Sequence, residues 1–224
     1  MADAAPSGPG GDAGAGPGGA KRRTESFAQR RERRAAIDDP AVVLEAAARF
    51  LEVRSRSVAE VRRRLTSNGY RADLVDGAIT RMTELGMLDD AAFAQAWVES
   101  RDRSRPRGER AIRVELGQKG LDKAVIDEVL AARRAYGLGS SDPDRVTDPD
   151  EPVVSADRAA ADRLIAKHAR SLARVADPRQ RRARAYSLLA RNGFDPEICR
   201  DVAASAAAEP DAQADPLDEG DVEP

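Results

Sequence analysis

The 224-residue chain has little of several features that define common protein classes. It has one cysteine, Cys199, which excludes an internal disulfide framework and leaves no thiolate cluster for a metal. Its one histidine, His168, has no Cys or acidic neighbour at metal-ligand spacing, so no metal site is expected. No apolar run approaches the roughly 18 residues of a membrane span, and no hydrophobic leader segment is seen. We therefore expect a cytoplasmic protein without a membrane segment.

The motifs that build common enzyme sites are also missing. Neither GxxxxGK[ST] nor GxGxxG occurs, so the sequence predicts no nucleotide site and no cofactor. The adjacent acids Asp89 and Asp90 are explained by helix capping, because neighbouring side chains at a helix start point in different directions. No catalytic residue is predicted. A hydrolase or nuclease is the least favoured hypothesis, since clustered ligands are lacking.

The chain also lacks period-two alternation of apolar and polar residues, and this absence excludes a β-sheet. What the chain has instead are helix signals: an Asp-Pro step at Asp39, a capping box at Ser57 and Glu60, a proline at Pro106 that is expected to open a helix, and Asp177 before a proline. The sequence therefore predicts an all-α fold.

The helices follow an internal repeat centred on Gly69, Gly120 and Gly193. A leucine precedes each glycine by four residues, and apolar residues follow it at +5, +6, +9 and +10. These apolar residues are Leu65, Leu74, Val75, Ala78 and Ile79; Leu116, Val125, Ile126, Val129 and Leu130; and Leu189, Ile198, Cys199, Val202 and Ala203. Short helices that are apolar on one side bury those sides against each other, which predicts an elongated row of three three-helix units.

Composition divides the chain into seven segments. We expect a disordered Ala/Gly/Pro tail (1–20), a basic arm (21–39), unit 1 (40–86), unit 2 (87–136), an acidic linker (137–155), unit 3 (156–206) and an acidic disordered tail (207–224). The basic arm has two interpretations, a solvated mobile segment or a contact to phosphates.

Charge is segregated, although the net charge is only −2. Residues 40–135 carry 18 basic and 15 acidic side chains, residues 156–203 carry 11 and 6, and residues 204–224 carry seven acids and no base. A basic fold indicates an acidic partner such as nucleic acid or a nucleoprotein. The alternative is a set of solvated helix faces, because the chain contains 33 Arg and only four Lys.

Basic residues recur in the second helix of each unit and at the turn before it in unit 2, and arginine suits phosphate and carboxylate groups. The candidate partner-binding residues are Arg62, Arg63, Arg101, Arg103, Arg105, Arg107, Arg110, Arg113, Lys119, Arg179, Arg181, Arg182 and Arg184. His168 and Cys199 are predicted on inward helix faces. Trp97 is interpreted as a core anchor, with a stacking platform for bases as the alternative.

Unit 2 resembles the RecX family, regulators of the RecA recombinase. The resemblance lies in G-M-L-D-D-x-x-F-A-x-x-W-V at 86–98, R-x-R-P-R-G at 103–108 and E-L-x-x-K-G at 115–120. Flanking patterns at 56–65 and 183–194 extend it over residues 40–203. The structural core of the motif is Leu88, Phe93, Trp97, Leu116 and Gly120.

The resemblance implies tandem three-helix units that bind the RecA–DNA filament. It also implies restraint of ATP hydrolysis, strand exchange and co-protease activity, with effects on DNA repair and the SOS response. It implies a protein that is not an enzyme and that binds single- or double-stranded DNA weakly. We expect a monomer without a cofactor. No sequence preference is expected, because the second helices lack a consistent set of Asn, Gln and Arg at base-reading spacing. The alternative from the residues is a stand-alone DNA-binding helical module.

Overall fold

The computed structural model describes residues 25–136 and 155–208, and every regular element in these two ranges is an α-helix. The first five helices are α1 (Phe27–Ala35), α2 (Pro40–Leu51), α3 (Val58–Asn68), α4 (Ala72–Glu84) and α5 (Asp90–Ser104). The others are α6 (Glu109–Gln118), α7 (Lys123–Tyr136), α8 (Ala156–Ala173), α9 (Pro178–Arg191) and α10 (Pro196–Ala208). The all-α prediction is confirmed. The predicted tails and linker lie almost entirely outside the described residues.

Most helices begin where the sequence places a cap. Asp39 accepts a hydrogen bond from the Ala41 amide at 2.8 Å, and Ser57 and Glu60 form the expected capping box of α3. The predicted start at Pro106 is wrong. Helix α6 begins at Glu109 because the preceding residue, Gly108, keeps an extended backbone with φ −72° and ψ 160°.

The helices form three units, each with its own core. Helices α2–α4 form unit 1, α5–α7 unit 2 and α8–α10 unit 3. The leucines four residues before the repeat glycines are essentially inaccessible in all three units: Leu65, Leu116 and Leu189. Burying such a side chain contributes roughly 1.5–3 kcal/mol, so the repeat positions supply much of each core. Leu88, which the sequence groups with unit 2, packs in the core of unit 1.

The one cysteine and the one histidine of the chain both belong to unit 3, but only the cysteine is buried. Cys199 is fully buried in the core as predicted, and burial raises the pKa of its thiol. The prediction for His168 is wrong, because its side chain is exposed. Ile165 instead packs against both apolar clusters of unit 3, so the following turn of α8 is left outside the core.

The basic arm contains a folded helix. Ser26 and Gln29 form a capping box at the start of α1, although no residue of α1 is buried. Helix α1 rests on the end of α3, where the backbone of Arg31 leaves no room for a Cβ atom at Gly69. The Arg34 guanidinium also lies over the Tyr70 ring at 5.7 Å from its centroid. The part of the arm within the described residues is therefore packed against unit 1.

Candidate partner-binding surface

Units 1 and 2 meet at the N-terminus of α3. Ser57 Oγ donates a hydrogen bond to the Lys119 carbonyl oxygen at 2.7 Å, and the Val58 amide donates to Asp90 Oδ1 at 2.9 Å. Lys119 Nζ also contacts Glu60 Oε1 at 2.8 Å. Burial alone would raise the pKa of Glu60, but the hydrogen bond and charge of Lys119 outweigh it and lower that pKa. Of the free amides at the start of α3, that of Val58 is thus satisfied by the next unit, and that of Glu60 by Ser57 within unit 1.

Units 2 and 3 meet at the N-terminus of α6 through equivalent backbone groups. The Gly108 amide donates to the Asn192 carbonyl oxygen at 3.0 Å, and the Glu109 amide donates to both Asp157 oxygens at 3.0 and 3.2 Å. Lys119 and Asn192 each precede a repeat glycine. In both junctions, an acid of the next unit accepts from the first amide of the second helix. The carbonyl oxygen before the repeat glycine accepts from the N-cap residue, through the Ser57 hydroxyl in the first junction and the Gly108 amide in the second.

The repeat glycines have two physical reasons to be glycine. Gly120 and Gly193 both have φ +81°, where a side chain is strained. A Cβ atom would also come within 2.5 Å of the Ala59 Cβ at Gly120, and within 2.5 Å of the Ala111 amide nitrogen at Gly193. The sequence predicts the first reason only, because the close approach joins residues far apart in the chain.

A buried ionic network reinforces the junction between units 2 and 3. Arg133 donates two hydrogen bonds to Asp102 at 2.9 and 3.0 Å and also pairs with Asp157. The Arg133 and Asp102 side chains are 5% and 8% exposed. Burial would lower the pKa of Arg133, but the hydrogen bonds and charges of Asp102 and Asp157 outweigh it and raise that pKa. The sequence carries no signal for this network, because its members lie 24 and 31 residues apart in the chain.

Trp97 lies at the centre of a second polar cluster. It is half-buried and stacks on Phe93 with ring centroids 5.9 Å apart. Its indole nitrogen donates to Glu115 at 2.8 Å, and Glu115 also accepts from Arg101 Nε at 2.6 Å. Arg101 and Lys119 lie over the indole ring at 4.4 and 4.8 Å from its centroid. The ring is therefore covered by two cations, which leaves less of it for stacking on a base.

Four other candidate residues are also engaged within the protein. Arg62 pairs with Asp76, and Arg113 pairs with Asp127 and Glu109. Arg107 Nη1 donates to the Asn192 side chain at 2.8 Å, which ties the basic turn to unit 3. Arg181 Nε donates to the Val175 carbonyl oxygen at 3.2 Å. These four guanidinium groups have partners within the chain.

The remaining candidates are exposed and make no ion pair with any residue of 25–136 or 155–208. They are Arg63 on α3, Arg103 and Arg105 at the end of α5, Arg110 on α6, and Arg179, Arg182 and Arg184 on α9. The candidate set therefore divides into residues that hold the protein together and residues whose charge is directed to solvent. The structure does not gather all thirteen into one cluster.

Two kinds of functional site find no support in the part of the chain that the structure describes. No group of three or more His, Cys, Asp or Glu side chains there is arranged to hold a metal ion. None of the helices in that part has both the length and the apolar character needed to cross a bilayer.

The geometry defines the class of protein: an all-helical tandem repeat with capped junctions and exposed arginines on the second helices. Comparison with known proteins identifies the family. The model of the RecX second three-helix domain matches residues 89–130, and that of the RecX first three-helix domain matches residues 44–82. Regulatory protein RecX of Mycobacterium ulcerans is 34% identical over 164 residues, which is 73% of this chain and 84% of that protein. The chain belongs to the RecX family.

Other relatives agree with this placement. Regulatory protein RecX of Mycolicibacterium smegmatis is 45% identical over 83 residues, which is 37% of this chain and 44% of that protein. The crystal structure of RecX from Lactobacillus salivarius superposes with a TM-score of 0.60 and 18% sequence identity. The superposition covers 75% of this chain and 97% of that structure, and at 18% identity it supports the fold alone.

Proposed function

We propose that this chain is a non-enzymatic regulator that binds the RecA–DNA filament and inhibits its recombinase, ATPase and co-protease activities. It would thereby affect DNA repair and the SOS response, acting as a monomer in the cytoplasm. The observation that carries the proposal is RecX membership, since both the first and the second three-helix domains match.

The arrangement of charge supports this proposal. Units stacked in a row present an extended surface, which suits a long polymeric partner. The exposed arginines Arg103, Arg105 and Arg110 lie around the turn between α5 and α6, where no carboxylate of a described residue neutralises them. Such groups attract the phosphates of DNA and the carboxylates of a protein surface.

A strand-exchange assay with RecA tests the proposal. We expect inhibition at stoichiometric ratios of this chain to RecA, and no effect at those ratios would contradict the proposal. The double variant Arg103→Glu with Arg105→Glu should weaken inhibition without loss of helix content, because both side chains are exposed. Arg81→Glu, an exposed charge reversal outside the candidate set, serves as the matched control.

Replacing Arg105 and Arg107 together by Glu is a less selective test. Arg105 is exposed, but Arg107 is hydrogen-bonded to Asn192 across a junction. We therefore expect this pair of changes both to weaken filament binding and to lower the melting temperature. The double variant at Arg103 and Arg105 should weaken binding without lowering the melting temperature. Thermal melts followed by circular dichroism separate the two cases.

A second candidate function is binding to DNA in the absence of RecA. It is favoured by α9, which carries five arginines and no acidic residue. Phosphate-driven binding should weaken steeply as salt rises from low to physiological concentration. Binding that is insensitive to salt would contradict this second candidate.

A further inference from the structure

We propose that the surface of unit 3 formed by Tyr186, Arg182 and Arg200 binds single-stranded DNA, and that units 1 and 2 lack an equivalent site. The inference rests on the proposed function only for its biological setting, because the contact is a property of this chain alone. It follows from comparing the same two positions in the three units.

In units 1 and 2, these two positions form an ion pair between the second and third helices. The residue seven before the repeat glycine is Arg62 in unit 1 and Arg113 in unit 2. The residue seven after it is Asp76 in unit 1 and Asp127 in unit 2, and each arginine pairs with its aspartate. The surface at these positions is therefore neutralised in both units.

In unit 3, the same positions hold an aromatic ring and a second cation. Tyr186 lies seven residues before Gly193, and Arg200 lies seven residues after it. Helix α9 packs against α10 as α3 packs against α4 and α6 against α7. Tyr186 is 37% exposed, and Arg200 is also exposed. The pair that neutralises units 1 and 2 is thus replaced by a tyrosine and an arginine on adjacent helices.

The surrounding charge of α9 is of one sign. Its 14 residues contain no acid, and its arginines are Arg179, Arg181, Arg182, Arg184 and Arg191. None of these five forms an ion pair with another described residue. Arg182 precedes Tyr186 by one helical turn, so the two side chains share a face of α9. An exposed aromatic ring is thereby flanked by uncompensated guanidinium groups.

This combination fits a single strand better than a duplex or an acidic protein. Arginine binds phosphate through a planar fork of donors, and a tyrosine ring offers a face on which an unpaired base stacks. A duplex keeps its bases stacked on each other, so it would use the arginines but not the ring. An acidic protein surface would likewise gain little from Tyr186.

The test is binding of the full chain to a fluorescent oligothymidylate, measured by anisotropy without RecA. Tyr186→Ala should weaken binding on the order of tenfold, whereas Tyr186→Phe should retain most of it, because stacking needs the ring and not the hydroxyl. Arg200→Ala should weaken binding and reduce the slope of affinity against salt by about one. Arg62→Ala, at the equivalent of Tyr186 in unit 1, should leave affinity nearly unchanged.

Several outcomes would overturn the inference. One is an unchanged affinity of Tyr186→Ala for oligothymidylate, and another is an equal loss of that affinity in Arg62→Ala. The others are an equal loss of affinity for duplex DNA in Tyr186→Ala, and binding of the chain to a uridine oligonucleotide only. Circular dichroism should show that Tyr186→Ala stays folded, since the side chain is partly exposed. If it does not, Arg200→Glu on the exposed face of α10 tests the same surface and should abolish most binding.

The outcome is separable from that of the proposed function. If the chain inhibits strand exchange while Tyr186→Ala binds oligothymidylate normally, the inference fails and the proposed function stands. If oligothymidylate binding depends on Tyr186 while strand exchange is unaffected by the chain, the proposed function fails and the inference stands.

Discussion

The two junctions between units place an acid and a carbonyl oxygen at equivalent positions, but the donor to the carbonyl is the Ser57 hydroxyl in the first and the Gly108 amide in the second. In each, the second helix of one unit is capped by an acid from the next unit, Asp90 or Asp157. The first junction adds the half-buried pair of Glu60 and Lys119, whereas the second adds the buried Arg133. Adjacent units therefore meet through acceptors that occupy equivalent positions in the repeat. Side chains then set how strongly each junction depends on a single residue.

The largest expected effect comes from removing the buried cation of the second junction. Arg133→Met places there the residue that unit 1 has at the same offset from its glycine, Met82. It leaves Asp102 and Asp157 without their main partner, and breaking a buried pair in this way costs about 3–5 kcal/mol. Chemical denaturation measures the change in the free energy of unfolding.

Its neighbour supplies the control for that experiment. Arg134 pairs with Glu109 but is 54% exposed, so Arg134→Met should cost about 1 kcal/mol or less. Equal stability of the Arg133→Met variant and the parent chain would mean that the second junction does not depend on its ionic network.

The substitution Gly108→Ala should disturb the same junction through a clash with the backbone of unit 3. The new Cβ atom would overlap the backbone of Gly193 and Phe194, which cannot move as a flexible side chain can. We expect a loss of about 1–3 kcal/mol, as for overpacking. The control Gly117→Ala lies in α6 with open space around it and should stabilise the protein by about 0.5–1 kcal/mol. Thermal denaturation giving both variants the same sign of shift would contradict this account.

The first junction is tested by Ser57→Ala. Ser57 is fully buried, caps α3 and donates to the Lys119 carbonyl, so we expect a loss of about 1–2 kcal/mol. The matched variant Ser26→Ala removes the equivalent cap of α1, which has no buried residue, and should cost less. A larger loss at Ser26 than at Ser57 would show that the junction bond contributes nothing beyond capping.

The smallest expected effect is the pH dependence from the ion pair at the surface of unit 2. Hydrogen bonds from Lys123 and Arg113 lower the pKa of Asp127 to about 2. Because its folded pKa is below the ordinary value near 4, the stabilisation is present above pH 4 and is lost as pH falls towards 2. In acid titrations of the free energy of unfolding, Asp127→Asn should show a shallower slope between pH 4 and 2. An unchanged slope would contradict this assignment.

The sequence predicts the elements and the cores well because both depend on local signals. The leucine before each repeat glycine is buried in all three units, and the caps at Asp39, Ser57 and Asp177 all bind the amides expected of them. Helical periodicity fails for His168, since the spacing does not show whether another helix covers that turn of α8.

The junctions could not be predicted because their contacts join distant parts of the chain. The sequence indicates that Asp90 is a first-turn acid of its own helix. Its carboxylate also accepts a hydrogen bond from the amide of Val58, 32 residues earlier. Arg133 reads as one of many arginines near a helix end, where cations are common. Only the fold reveals that Asp102 and Asp157 surround it.

For the candidate surface, the sequence identifies the residue type but not the partners. The sequence places Arg101 and Arg107 in one basic run with Arg105, but Arg101 is hydrogen-bonded to Glu115 and Arg107 to Asn192. Tyr186 carries a signal that alignment at the repeat glycines reveals, because it replaces an arginine found in both other units. That signal gains meaning only once the structure shows the arginines paired.

We propose that the exposed basic surface of this chain binds the RecA–DNA filament. Because Cys199 is buried, a single introduced cysteine can carry a photo-cross-linker selectively, at Ser104 beside the basic turn or at the exposed Thr80 as control. We predict that the Ser104→Cys probe cross-links to RecA in assembled filaments at stoichiometric ratios, and that the Thr80→Cys probe does so less. Absence of cross-links from Ser104→Cys at those ratios, with the probe intact, would contradict the claim.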